Sequence, residues 1–184
     1  MAIRSRAAVN GIDVEELGHL VTQVKQQPEL GRFRFHIRNK WIDGGRNQST
    51  IESFFGTGQE MQHQRPFTSK ADEPPILLGQ DKAPNPVEYL LHALASCMTS
   101  SLVYHAAMRG IKVTEVESTL EGDLDTSGFM GISPQTRKGY ENIRVTFRVK
   151  SDAPPEQLEE CARFSPVLDV VSHGTNVDLK IEKQ

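Results

Sequence analysis

Cysteine is scarce. The two thiols in 184 residues, Cys97 and Cys161, are too few for a disulfide scaffold. No Cys/His cluster has zinc-site spacing, so no metal centre is expected. His92 and His105 lie thirteen residues apart on one predicted helix, about 140° apart around its axis and roughly 20 Å apart along it, so they cannot share a metal ion within one chain. Charge of one sign is lacking too: 21 Lys and Arg stand against 24 Asp and Glu, a net charge of −3. That mild acidity argues against nucleic-acid or membrane-surface partners. Neither G-x-G-x-x-G nor a P-loop occurs, and no cofactor is expected. No apolar signal region follows Met1, since Arg4 and Arg6 lead into polar sequence. The expected compartment is therefore the cytoplasm, where thiols stay reduced.

What the chain does have is one long uncharged stretch, APNPVEYLLHALASCMTSSLVYHAAMRG, from Ala83 to Gly110. Asn85 suits an N-cap, Pro86 the first turn and Gly110 the C-terminal stop. After Glu88 no acid or base follows until Arg109. As a helix the segment spans roughly 37 Å. Leu90, Leu91, Leu94, Met98, Leu102 and Val103 surround its axis, which predicts a buried helix. The hydroxyls of Ser96, Thr99, Ser100 and Ser101, with His92 and His105, weaken a transmembrane reading. Cys97 sits mid-helix. A lone buried cysteine is most often a small hydrophobe; its polar neighbours raise the reactive alternative.

The rest reads as one α+β domain. Residues 1–12 are expected to be flexible. Asp13 and Glu16 form a capping box for a helix bearing Val14, Leu17, Leu20, Val21 and Val24, ended by Pro28 and Gly31. From Gly31 to Trp41, Phe33, Phe35, Ile37 and Trp41 alternate with Arg32, Arg34, His36, Arg38 and Lys40. Basic and aromatic side chains therefore occupy opposite faces and make no shared platform for bases. An Asp43-Gly44-Gly45 turn leads to a strand over Asn47–Phe55, and another is expected over Glu60–Phe67. The Asp72–Pro86 segment, with Pro74, Pro75, Gly79 and Pro84, reads as an ordered lid. Strands over Lys112–Leu124 and Glu141–Lys150 flank a mobile loop, Asp125–Gly139. A helix follows from Pro154 to about Phe164, and Val177, Leu179 and Ile181 mark a last strand.

The stretch PFTSKADEPPILLGQDKAPNPVEYLLHALASCM, Pro66 to Met98, resembles the signature of the OsmC/Ohr family. The matching parts are the ADEPP turn, the Leu-Gly-Gln-Asp loop, NP-x-E-x-LL and A-S-C; Ser165-Pro166-Val167 with Gly174 and Val177 fits the C-terminal motif. The resemblance runs from about Phe33 to Ile181, dividing the chain into a tail with amphipathic helix (1–30) and a family domain (31–184). It implies two antiparallel sheet groups wrapped around long buried central helices in an intertwined homodimer. It also implies thiol-dependent reduction of organic or inorganic hydroperoxides, with electrons returned by a dithiol such as a lipoyl group. The alternative is a non-catalytic relative that binds a small apolar or electrophilic ligand in the dimer cleft.

Cys97 is the expected nucleophile. A thiol near its usual pKa of about 8.5 is mostly protonated at neutral pH. Cys97 lies about three turns into the helix, beyond reach of the helix dipole, so activation needs a cation. The resemblance implies an arginine from the N-terminal hairpin, of the same chain or of a partner subunit; Arg46, just after the Gly44-Gly45 turn, is the first candidate, with Arg38 and Arg65 as alternatives. Two departures from the peroxidase pattern stand out. The acid that follows the helix-opening proline is displaced from Val87 to Glu88, about 180° around the helix from Cys97. The resolving thiol's position is Ser165. Cys161, four residues earlier, is either a displaced resolving residue or inert packing. An apolar surround from Phe54, Phe55, Leu77 or Leu78 would favour organic peroxides.

Overall fold

The structure is a computed structural model that describes residues 8–183. The chain divides into two compact units. One is built mainly from Asp13–Leu90; the other contains Val9–Ile12 and the chain from Leu91 onward.

Of the segment expected to be flexible, residues 1–7 lie outside the described residues, and the rest is ordered. β1 (Ala8–Val9) and β2 (Ile12–Asp13) form a hairpin. Its turn residues Asn10 and Gly11 have φ 54° and 79°, values that Asn and Gly tolerate best. Asn10 also donates to the Ile111 carbonyl at 2.9 Å and accepts from the Val113 amide at 2.8 Å. Asn-Gly between apolar residues is the local signal that specifies this turn.

In the first unit, α1 (Val14–Gln26) is capped as expected, with the Glu16 amide donating to Asp13 at 3.0 Å. A 3-10 turn, Pro28–Gly31, follows. The strand expected over Gly31–Trp41 is two pieces: β3 (Arg34–Phe35) and β4 (Arg38–Asp43), broken at His36 and Ile37. Both pair with β5 (Arg46–Gly56), whose other edge carries β6 (Gln59–Ala71), longer than predicted at both ends. An aromatic run crosses the sheet: Phe33 and Phe35 at 6.0 Å between ring centroids, Phe35 and Phe54 at 5.8 Å, Phe54 and His63 at 5.3 Å, His63 and Phe67 at 5.0 Å. Nothing covers it. Among the described residues of this unit no apolar side chain is buried, and Phe35, Ile37 and Trp41 are each at least two-thirds exposed.

The second unit holds the core. α2 (Pro86–Met108) runs into it and lays Leu94, Met98, Leu102 and Ala106 against an antiparallel pair, β7 (Val113–Asp123) and β8 (Asn142–Ser151). The spacing of four residues draws a stripe that winds by about 40° per step down the helix. Strand alternation supplies the other wall: Val116 and Leu120 on β7, with Ile143, Val145, Phe147 and Val149 on β8. The opposite face of the pair carries Glu115–Lys150 and Glu121–Arg144, cross-strand ion pairs in an exposed setting. In one chain the buried side chains of α2 are this stripe and, near its end, Ala107; His92, Ser96, Ser100 and Tyr104 are exposed, which corrects the expectation of burial all round.

Between β7 and β8, the expected open loop contains a short helix, α3 (Thr126–Phe129), with Asp125 capping it through the Ser127 amide at 2.8 Å. α4 (Pro155–Ala162) matches the predicted helix, while α5 (Pro166–His173) was not foreseen. The last strand does not form: Val177, Leu179 and Ile181 lie in irregular chain and are more than four-fifths exposed. Alternation is a propensity and does not by itself secure a ladder partner.

Leu94 and Leu102, each 1% exposed, carry this packing. Leu102→Ala is expected to cost about 2–5 kcal/mol of stability, measured as a drop in urea midpoint. Lys150→Ala, in an exposed ion pair, should stay within about 0.5 kcal/mol.

Candidate functional site: the thiol helix and its approach loop

The approach loop, Asp72 to Asn85, is organised around one carboxylate. Asp72 is 1% exposed and accepts from the backbone amides of Glu73 (2.8 Å), Lys82 (3.0 Å) and Gln80 (3.5 Å). Three N–H groups converge on it because the loop folds back through a 3-10 turn at Pro75–Leu77. Gly79 is obligatory there, since a Cβ would lie 1.7 Å from the Glu73 carbonyl oxygen. Burial pushes the Asp72 carboxyl up. The amides of Lys82, Glu73 and Gln80, then the charge of Arg46, more than offset this and hold it below the usual range. Arg46 and Asp72 flank the last pair of the ladder, Asn47 with Ala71, which brings the Arg46 charge near the carboxyl. The hairpin partner of Arg46 on the other side is Asp43.

At the start of α2, the Val87 amide donates to Asn85 Oδ1 at 2.9 Å, and the Asn85 amide donates to Glu88 Oε2 at 2.8 Å. Glu88 is thus half of a reciprocal cap. Asn85 Nδ2 donates to Glu73, tying the cap to the loop.

Eleven residues past Pro86 comes Cys97, partly exposed and free. At about 100° per residue it lies about 120° from the centre of the Leu94–Ala106 stripe. Leu90, Ala93, Ser101 and Tyr104 share its side. Ser96 satisfies its hydroxyl within the helix, donating to the His92 carbonyl at 2.9 Å.

Cys161 is elsewhere. It is 0% exposed, free, and part of the core that meets the stripe. Burial pushes its thiol up against the opposing pull of Arg109, with Glu160 adding to the rise. Its flanks are moored to the far end of α2: Arg109 makes a bidentate pair with Glu160 at 3.0 and 2.9 Å, and the His105 ring stacks on Phe164 at 3.9 Å. Burial, and secondarily Arg109, lower the His105 pKa. The structure does not bring Cys97 and Cys161 together. Ser165, also buried, accepts from the Leu168 amide at 3.1 Å and caps α5.

Arg46 and Asp72 are brought together in the first unit, and Cys97 stands in the second. Arg38 is engaged with Glu52 at 2.7 Å, and Arg65 is exposed on β6. Phe54 belongs to the aromatic run and Leu78 is 95% exposed. Among the described residues no group of three or more His, Cys, Asp or Glu could hold a metal ion, and no helix is long and apolar enough to cross a membrane. Sequence reasoning missed Asp72 and the Arg109–Glu160 pair. The first carried a signal, an acid just before Glu-Pro-Pro and a glycine-containing loop; the second, 51 residues apart, carried none.

Residues 79–180 match the family model of OsmC-like proteins. The chain belongs to the OsmC-like family. Solved structures agree at the level of fold. An OsmC-like protein from Mycoplasma pneumoniae is 15% identical, with a TM-score of 0.56 over 76% of this chain and 88% of that one. An OsmC-like protein of unknown function from Vibrio cholerae is 13% identical, with a TM-score of 0.50 over 74% and 92%. Curated proteins compared by sequence give no match. The OsmC-like match contains Cys97, Glu88, Cys161 and Ser165; Arg46 and Asp72 precede it.

Asp72→Asn replaces an acceptor oxygen by a donor facing backbone amides, so it is expected to destabilise the first unit. A carboxyl held below its usual value stabilises the fold fully above the usual value and loses that contribution as pH falls through the lower folded one. The stability gap between the native chain and D72N should therefore be full at neutral pH and shrink below about pH 4. Urea unfolding of both across pH 3–7 measures it; a gap that is constant with pH would show that the charge is not what matters.

Proposed function

We propose that this OsmC-like chain is a thiol-dependent reductase of organic or inorganic hydroperoxides, with Cys97 as nucleophile. The observation that carries the reading is the placement of Cys97: mid-helix within the family-matched span, partly exposed, and turned off the packed stripe. Cys161 by contrast is sealed. The Cys97 thiolate attacks one peroxide oxygen, the O–O bond breaks, and the products are Cys97 sulfenic acid and an alcohol or water. Arg46, whose charge also acts on Asp72, is the cation assigned to favour the thiolate. Glu88 has a sufficient role as a helix cap.

The working form is a homodimer. The support is physical: a unit with an uncovered aromatic run and no buried apolar side chain cannot hold itself together by the hydrophobic effect alone, and exposed apolar patches of that kind mark interfaces. A second copy of this chain is the partner that also meets the remaining apolar surface of α2.

One observation favours the second reading, a non-catalytic protein that binds a small apolar ligand. A groove of about 800 Å³ lies in the second unit, lined by Met98, Leu102, Val145, Phe147, Leu158 and Leu168. It opens on the stripe side of α2, away from Cys97, so a ligand there would not meet the thiol.

Intact mass and peptide mapping after one equivalent of cumene hydroperoxide test the first reading. One oxygen on Cys97, lost in Cys97→Ser, is the expected result; an unmodified Cys97 after minutes would sink it and leave the binding protein. Light scattering tests the assembly: the expected mass is about twice the 20.6 kDa chain, and a monomer at micromolar concentration would refute the dimer.

A further inference from the structure

Cys97 sulfenic acid has to be returned to a thiol, and the geometry points to an external thiol rather than a second cysteine of the chain. The inference rests on the peroxide-reductase reading and concerns its second half, the chemical class of the reductant. Cys161 would have to come within about 7 Å, Cα to Cα, to form a disulfide with Cys97. It is held away at both flanks. Glu160 is clamped by two hydrogen bonds to Arg109, and Phe164 is stacked on His105. Those anchors lie eight and twelve residues beyond Cys97, about 12 and 18 Å along the helix axis. Moving Cys161 to Cys97 would break the clamp, separate the stack, and draw Leu158 and Ala162 out of the core, where both are buried with Cys161. The other position from which a thiol could act, residue 165, carries a hydroxyl that cannot form a disulfide and is engaged as the cap of α5.

The cycle balances with two sulfhydryls from outside. The sulfenic acid condenses with the first thiol, forming a Cys97 mixed disulfide and releasing water. A second thiol attacks the outer sulfur, Cys97 leaves as the thiolate and takes up a proton, and the reductant departs as its own disulfide. Two molecules of a monothiol supply both steps, or one dithiol closes on itself. Cys97 suits this role: it is partly exposed and borders the open His92, Ser96, Ser100 and Tyr104 side of α2.

The test uses the full chain, cumene hydroperoxide, and either glutathione or dihydrolipoamide. After peroxide alone, dimedone should label Cys97, and no Cys97–Cys161 link should form within or between chains. With glutathione present, mapping should find one glutathionyl group on Cys97 and a free Cys161. In steady state, Cys161→Ser and Cys161→Ala should keep turnover within about twofold, while Cys97→Ser should lose it by about a hundredfold. Turnover with glutathione identifies a monothiol; turnover with dihydrolipoamide alone identifies a dithiol. A Cys97–Cys161 disulfide in the native chain, with loss of about tenfold or more in the Cys161 variants, overturns the inference and leaves the peroxidase reading standing. So does a Cys97 sulfenic acid that neither thiol reduces. Should the variants fail to fold, the map of the native chain decides alone. If peroxide never oxidises Cys97, both the reading and this inference fall.

Discussion

The stripe Leu94–Met98–Leu102–Ala106 governs the second unit. Because these residues recur every four positions, they commit one narrow face of α2 to the β7–β8 pair. Every other position follows from that choice. Cys97, next to Met98 in sequence, is turned well away from the core, and Cys161 is drawn into it. Two thiols that look interchangeable by composition are separated into a reachable one and a sealed one by helix periodicity. Fully burying the two leucines contributes roughly 1.5–3 kcal/mol each, enough to make alternative rotations of the helix costly.

A different constraint shapes the first unit, where none of the described apolar side chains is buried. Its approach loop is held instead by a buried charge. The Asp72 carboxyl is held below its usual range because three amides, and then the charge of Arg46, more than repay its loss of water. One buried acid thus organises the loop that leads into α2, and Glu88 caps the helix that follows.

How much of this could be read in the sequence depended on range. The caps of α1 and α2, the hairpin at Gly44-Gly45 and the alternation of β8 are local patterns, and they were legible because each is specified by residues within a few positions. The motif from Pro66 to Met98 carried the family in the same way. What escaped was set by distance or by competition. The Arg109–Glu160 clamp joins residues far apart in the chain. Val177, Leu179 and Ile181 alternate as a strand should, yet alternation alone is only a propensity. The uniform apolarity of α2 predicted burial all round, because sequence reports what a helix can bury and not how much one chain supplies to bury it.

The exposed apolar surface and the sealed second thiol bear on each other. Cys161 is buried by contacts within one unit of one chain, through the Arg109 clamp, the Phe164 stack and the core stripe. Pairing with a second copy can add cover over the aromatic run and over the bare side of α2, but it does not loosen those internal contacts. Association would narrow the approach to Cys97 while leaving Cys161 where it is. A redox cycle confined to the chain would therefore have to undo core packing at every turnover, whereas a cycle that exchanges with an outside thiol asks only that Cys97 remain reachable, which its place off the stripe provides.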